Sequence, residues 1–258
     1  MKKSVEPDIS ILDGCQKLSS NPPTYKTEHY IIEAESKYIL KAVAWAKYIE
    51  SNVYPTMLEM MGHTPTYNLH ILHFTNDFLG RKVVALFCKF ESFRGFYGSR
   101  IRIIQKKLDK MPPYKKEGGI THETIHALLE EAKNERAKWT PIWKRELLDR
   151  IFEIELSKRL GDNEIRDRFY KKCLEKGDNY AVFARFWNKY GWRPFQSLIV
   201  RLHNEPNFCP IFQQNIFVHY LSSCCGEDVS VFFEEHGWNI DDKTKEKIEE
   251  DLQKRGVN

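Results

Sequence analysis

Gly118-Gly119-Ile120-Thr121-His122-Glu123-Thr124-Ile125-His126 decides how the chain is read, because it contains H-E-x-x-H. On a helix, residues four apart project from one face about one turn apart, so His122 and His126 can share one metal ion. Glu123 points to the side. There a carboxylate takes a proton from a metal-bound water rather than binding the metal. The plain alternative is an ordinary helix with two solvated histidines. Ile125, Leu128 and Leu129 make an apolar arc beside the histidines and put them at the margin of a buried face. A catalytic zinc site has three protein ligands and one open position, so the motif requires a third ligand.

Downstream, Thr140-Pro141 is a helix start, with the threonine capping and the proline at the first helical position. The helix it opens carries Glu146, Asp149, Glu153 and Glu155. Residues 127–145 separate His126 from Glu146, a length that suits the end of one helix, a turn and a returning helix. Glu155 is the competitor. It falls in the apolar stripe of Leu148, Ile151 and Phe152, where a carboxylate needs a partner, and a metal is one such partner. Glu146 lies on the more polar side.

Upstream, residues 1–26 carry Gly14, Pro7, Pro22, Pro23 and several serines, and read as an irregular lead-in. The predicted strands are His29–Ile32, Tyr67–Phe74, 82–90 and Gly98–Ile104. A long helix is predicted over 36–61, kinked or split at Pro55 and capped by Gly62. His70 and His73, three apart on a strand, face opposite sides and make a poor metal pair. From residue 118 onward the pattern is helical, with helices over 120–136, 141–160, 163–176, 179–190, 194–204, 210–223 and 243–254. The expected organisation is one α+β domain over 1–258, in which 27–136 form an N-terminal α/β lobe and 137–258 a helical lobe.

Composition narrows the partners. The chain has 258 residues, 41% hydrophobic and 29% charged, with 40 basic against 36 acidic residues and a net charge of +4. That balance gives no reason to expect nucleic acid. No apolar run reaches the roughly 18 residues of a membrane span. Met1-Lys2-Lys3 opens like a signal peptide, but no apolar core follows, so the sequence reads as cytosolic as written or secreted if it is a mature form. None of the six cysteines forms C-x-x-C, and their scatter favours free thiols.

H-E-x-x-H followed by a helical glutamate resembles the gluzincin metallopeptidases, the thermolysin-like group. The spacing to Glu146 equals the thermolysin spacing, and Trp143-x-x-Glu146 is similar to the aminopeptidase and plant basic-secretory-protein branches. In thermolysin an aspartate follows the ligand glutamate by four residues. Here that position is Arg150, and Asp149 is one short. Two further segments, Tyr180–Phe195 with its Gly191-Trp192, and Asp228–Ile240 with Phe232-Phe233 and Gly237-Trp238, are similar to elements of enhancin-like, mucin-degrading metallopeptidases. Packing of helices around aromatic anchors explains the same residues.

The resemblance implies a zincin-like fold and one Zn²⁺ held by His122, His126 and Glu146, with Glu155 as the alternative ligand. It implies Glu123 as general base and peptide or glycoprotein substrates. A tyrosine or histidine from the C-terminal lobe would stabilise the oxyanion. Tyr180 is the candidate, with Tyr190 and His203 as competitors. It also implies an edge strand ahead of the active-site helix that pairs with extended substrate backbone. That role falls on the Gly98–Ile103 strand, making Gly98, Ser99 and Arg100 the candidate substrate-binding residues.

Overall fold

The computed structural model describes residues 9–75, 85–104, 119–132, 145–204 and 214–256. The predicted loop at 106–116, the Thr140-Pro141 helix start and Trp143 lie outside the described residues. The fold is α+β, with a mixed six-stranded sheet and, among the described residues, ten α-helices. The chain divides into two compact units, Met1–Leu58 with Pro65–Leu128, and Glu59–Thr64 with Leu129–Asn258.

The first unit is the sheet unit. Its strands are β1 (Gln16–Ser20), β2 (Pro23–Lys26), β3 (Tyr30–Glu33), β4 (His70–Thr75), β5 (Ala85–Phe93) and β6 (Phe96–Ile104), in spatial order β1-β2-β3-β4-β6-β5. β3, β4 and β6 run parallel, and the strands at both sides are antiparallel. A parallel neighbour needs a crossover. Helices α1 (Ile39–Asn52) and α2 (Tyr54–Met61) supply the one between β3 and β4. The parallel register aligns side chains in rows across the sheet. Tyr30, His70 and Ser99 form one row and Ile32, Leu72 and Ile101 the next, all fully buried. This continuous burial is what sets the register.

Two expectations change here and one holds. The lead-in is not irregular: β1 and β2 form a hairpin that extends the sheet beyond β3. β1 is the outermost strand on that side and its residues are exposed or half-buried, so it lacks the apolar alternation that marks a strand in sequence. The helix predicted over 36–61 is split as Pro55 led one to expect, into α1 and α2 at Val53, with Pro55 in the first turn of α2. Finally, the Gly98–Ile104 strand is not an edge. β6 lies between β4 and β5, and β5 takes the edge position.

The second unit is helical: α4 (Arg145–Arg159), α5 (Asn163–Lys176), α6 (Asp178–Tyr190), α7 (Arg193–Asn204), α8 (Gln214–Cys225), α9 (Ser230–Glu235) and α10 (Asp242–Lys254). Asp162 caps α5 by accepting the Ile165 N–H at 3.2 Å, and Asp241 caps α10 through the Thr244 N–H at 2.7 Å. Its core is an aromatic cluster. Phe183 packs edge-on against Phe195, Phe217, Phe233 and Trp238, with centroids 5.4–6.3 Å apart. The Tyr180–Phe195 and Asp228–Ile240 segments therefore supply the packing anchors of this unit.

Candidate metal centre

The helix that carries the motif, α3 (Gly119–Ala132), forms where Ile120, Ile125, Leu128 and Leu129 repeat at helical spacing, and all four are buried. It is tied to the sheet by Thr124, whose hydroxyl lies 3.4 Å from the phenol of Tyr30 on β3. That phenol is fully buried, and desolvation pushes its pKa well above the ordinary tyrosine range.

On this helix His122 and His126 stand one turn apart with ring centroids 4.4 Å apart and planes at 73°. His126 is buried and His122 half-buried. One donor atom each from His122, Glu123 and His126 falls within 4.8 Å of the others. Two imidazoles with a neighbouring carboxylate are a donor set that suits zinc. The three residues that the motif names are thus brought together.

Glu123 has a partner that no local pattern announces. Its Oε2 accepts the backbone N–H of Phe87 on β5 at 2.5 Å, and only 6% of the residue is exposed. The register of β5 against β6 shifts between Phe87 and Lys89, beside this bond. Such irregularities re-aim backbone groups at sheet edges. The edge strand thereby fixes the rotamer of the motif glutamate. The donor lies 36 residues upstream, and no local pattern around the motif points to it.

The substrate-binding candidates are corrected by the strand order. Gly98 faces the backbone of Leu69, where a Cβ would come within 2.3 Å of the Leu69 carbonyl oxygen. Ser99 is fully buried and its Oγ lies 2.7 Å from His70 Nδ1. His70 Nε2 lies 2.9 Å from the hydroxyl of Tyr54, which completes a chain linking β6, β4 and α2. A serine beside a histidine has the chemistry of a nucleophile and its base. Here both are fully buried, and desolvation lowers the His70 pKa to about 3. The arrangement is therefore a structural network. Arg100 donates to Glu91 on β5 at 2.6 Å, a cross-strand ion pair. None of the three residues presents a strand edge.

Among the third-ligand candidates, Glu146 is exposed in the first turn of α4 and Asp149 is buried one turn on. Glu155 is settled in other contacts. Its Oε1 accepts from Arg159 Nε at 2.7 Å and its Oε2 from Trp187 Nε1 at 2.9 Å. The carboxylate in the apolar stripe has partners there. Tyr180 is buried on α6 with Lys176 Nζ 3.5 Å from its ring centroid. His203 stacks on His63 at 4.0 Å.

No helix among the described residues is long and apolar enough to cross a membrane. Comparison with protein-family models, with curated proteins and with solved structures gave no match.

Proposed function

We propose that the chain is a zinc-dependent peptidase with a zincin-like catalytic domain. The observation that carries this reading is the convergence of His122, Glu123 and His126 donor atoms within 4.8 Å on one buried-edge helix. A second feature supports it. The parallel sheet ends in an antiparallel edge strand, β5, that contacts the motif through Glu123. The resemblance calls for an edge strand beside the active-site helix, and β5 fills that role in place of the Gly98–Ile103 strand.

In this reading His122 and His126 would hold the ion, with Glu146 as the third ligand that the resemblance implies. Bound zinc would supply a water of lowered pKa and polarise the substrate carbonyl. Glu123 does the proton work. Its Oε2 is held by the Phe87 N–H, so Oε1 accepts the proton of the attacking water and returns it to the leaving amine. The Phe87 N–H bond holds one carboxylate oxygen and would leave Glu123 as a base rather than a ligand when a metal is bound. Among the described residues β5 is the last strand on its side, and its outward backbone groups other than the Phe87 N–H would pair with an extended peptide. Tyr180 is assigned to the oxyanion by the resemblance, and its burial under Lys176 supports a packing role more than that one.

A second reading, a zinc-holding binding module without turnover, is favoured by one fact: the Glu123 carboxylate is buried and already hydrogen-bonded. One preparation separates the two. Zinc is measured by elemental analysis and cleavage of casein or mucin is followed in the parent and in Glu123→Gln. The peptidase predicts about one zinc per chain in both and a loss of about 10²–10⁴-fold in cleavage in the variant. Equal, negligible cleavage in both with zinc retained supports the module. No zinc in the parent sinks both.

A further inference from the structure

From Phe87, the residue whose N–H holds Glu123, a row of aromatic rings runs along one face of the β5–β6 hairpin. Residues paired across an antiparallel ladder share a face. Phe87 pairs with Ile101, Phe90 with Ser99 and Ser92 with Tyr97. Ile101, Ser99 and Tyr97 alternate along β6, so Phe87, Phe90 and Tyr97 lie on one side of the sheet. Phe87 and Phe90 are three apart and would face opposite sides in a regular strand. The register shift between Phe87 and Lys89 takes up one residue and brings both to the same side.

The rings touch one after another. Phe87 meets Phe90 edge-on with centroids 5.8 Å apart, and Phe90 lies nearly parallel to Tyr97 at 6.4 Å. Tyr67 closes on both, 5.7 Å from Phe90 and 4.8 Å from Tyr97. Exposure rises along the row. Phe87 is 7% exposed, Phe90 half-buried, and Tyr67 and Tyr97 are 42% and 47% exposed. Contiguous open aromatic surface of this kind marks a contact site. It is also pre-formed. The Ser99 N–H donates to the Leu69 carbonyl at 3.0 Å and the Tyr54 hydroxyl to the Asn68 carbonyl at 3.3 Å, which pins the segment that carries Tyr67. Lys89, Glu91 and Arg100 pair with one another on the other face of the hairpin, so their charges stay off the row.

Two features select the occupant. The row is continuous with Glu123 through Phe87, and it borders the last strand on its side among the described residues. A peptide paired to β5 presents every second side chain to this face. One of them then lies on the rings while the backbone beside Phe87 faces Glu123. We propose that Tyr67, Phe90 and Tyr97 form a subsite that selects peptides with an aromatic side chain close to the bond held at Glu123. The subsite presupposes the peptide on β5 that the peptidase reading places there.

The test measures binding and cleavage separately. Binding is read by fluorescence anisotropy on the full-length Glu123→Gln chain, which does not consume its ligand in this reading. The probes are short labelled Ser/Ala peptides with Phe, Ala or Asp at one central position. Phe should bind about three- to tenfold more tightly than Ala, the worth of one added aromatic contact. Asp should bind no more tightly than Ala. Adding Tyr67→Ser and Tyr97→Ser should bring the Phe-to-Ala ratio close to one, whereas Tyr67→Phe with Tyr97→Phe keeps the rings and should keep the ratio. Both tyrosines are exposed, and an unchanged thermal midpoint verifies that the variants fold. No saturable binding of the Phe peptide, equal affinity for Phe and Ala, or a preference that survives the serine pair would each overturn the proposal. A dimer seen by sedimentation that dissociates in the serine pair would give the rings to a second copy of the chain and overturn it as well. Cleavage is then followed in the parent. Selective binding without cleavage would sink the peptidase reading and leave the subsite standing, and cleavage without preference for Phe would do the reverse.

Discussion

At the scale of single residues, the histidines divide by what surrounds them. His122 and His126 have a carboxylate beside them and sit at the margin of the core, whereas His70 is enclosed and bonded at both ring nitrogens. That enclosure has a consequence for stability. His70 has a pKa of about 3 in the folded chain against 6.5 as its ordinary value. Above 6.5 neither folded nor unfolded chain binds a proton there. Between 6.5 and about 3 only the unfolded chain does, so stability falls as pH falls across that window, by about 1.4 kcal/mol per pH unit from this group. Urea unfolding of the parent and of His70→Gln at a series of pH values checks it. The stability difference between the two should be flat above pH 6.5 and narrow or reverse steadily below it. Parallel curves would mean that His70 titrates normally.

At the scale of elements, α4 shows how a helical wheel locates a polar residue without naming its partner. Glu155 does face the apolar side, and it does have partners, but they are Arg159 on the next turn and Trp187 from α6. A sequence shows the need for a partner; it does not show that a tryptophan 32 residues on will provide an N–H. The same limit produced the strand-order error. The alternating basic and apolar residues of β6 look like a half-exposed strand, and Arg100 is indeed half-buried, yet Glu91 of β5 covers it. Two substitutions turn the α4 finding into a measurement. Glu155→Ala should destabilise the helical unit by about 1–3 kcal/mol, because Trp187 Nε1 and Arg159 lose a buried acceptor. Its zinc content should stay at the parent level. Glu146→Ala, at an exposed position, should change stability little and lower zinc affinity. The reverse pattern, zinc lost with Glu155 and kept without Glu146, would reassign the third ligand.

At the scale of the whole molecule, what could be read in advance was what depends on neighbours in sequence. Apart from the short α9, which was not among the predicted helices, the described helices of the second unit fall within a few residues of their predicted limits because each carries a 3.6-residue apolar stripe, and several carry caps such as Asp162 and Asp241. The motif triad was legible because a single turn of helix assembles it. Strand order, the β1–β2 hairpin and the Phe87 bond to Glu123 depend on chain segments that meet only after folding, so no local pattern encodes them. This difference also says how a metal would act on the whole chain. His122 and His126 are close in sequence, but their donor atoms converge only while α3 is helical and held to the sheet through Thr124 and Glu123. An unfolded chain offers no such pair in fixed geometry, so zinc held by this pair would bind the folded form preferentially and stabilise it by mass action. At free zinc of about 100 times Kd the gain is about 2.7 kcal/mol, which raises the thermal midpoint by roughly 5–10 °C in a chain of this size. Differential scanning calorimetry with and without zinc measures it. The shift should vanish in His122→Ala and in His126→Ala, and persist in Glu123→Gln, whose side chain is not a ligand in this reading. A shift of equal size in all four proteins would place the zinc elsewhere on the chain.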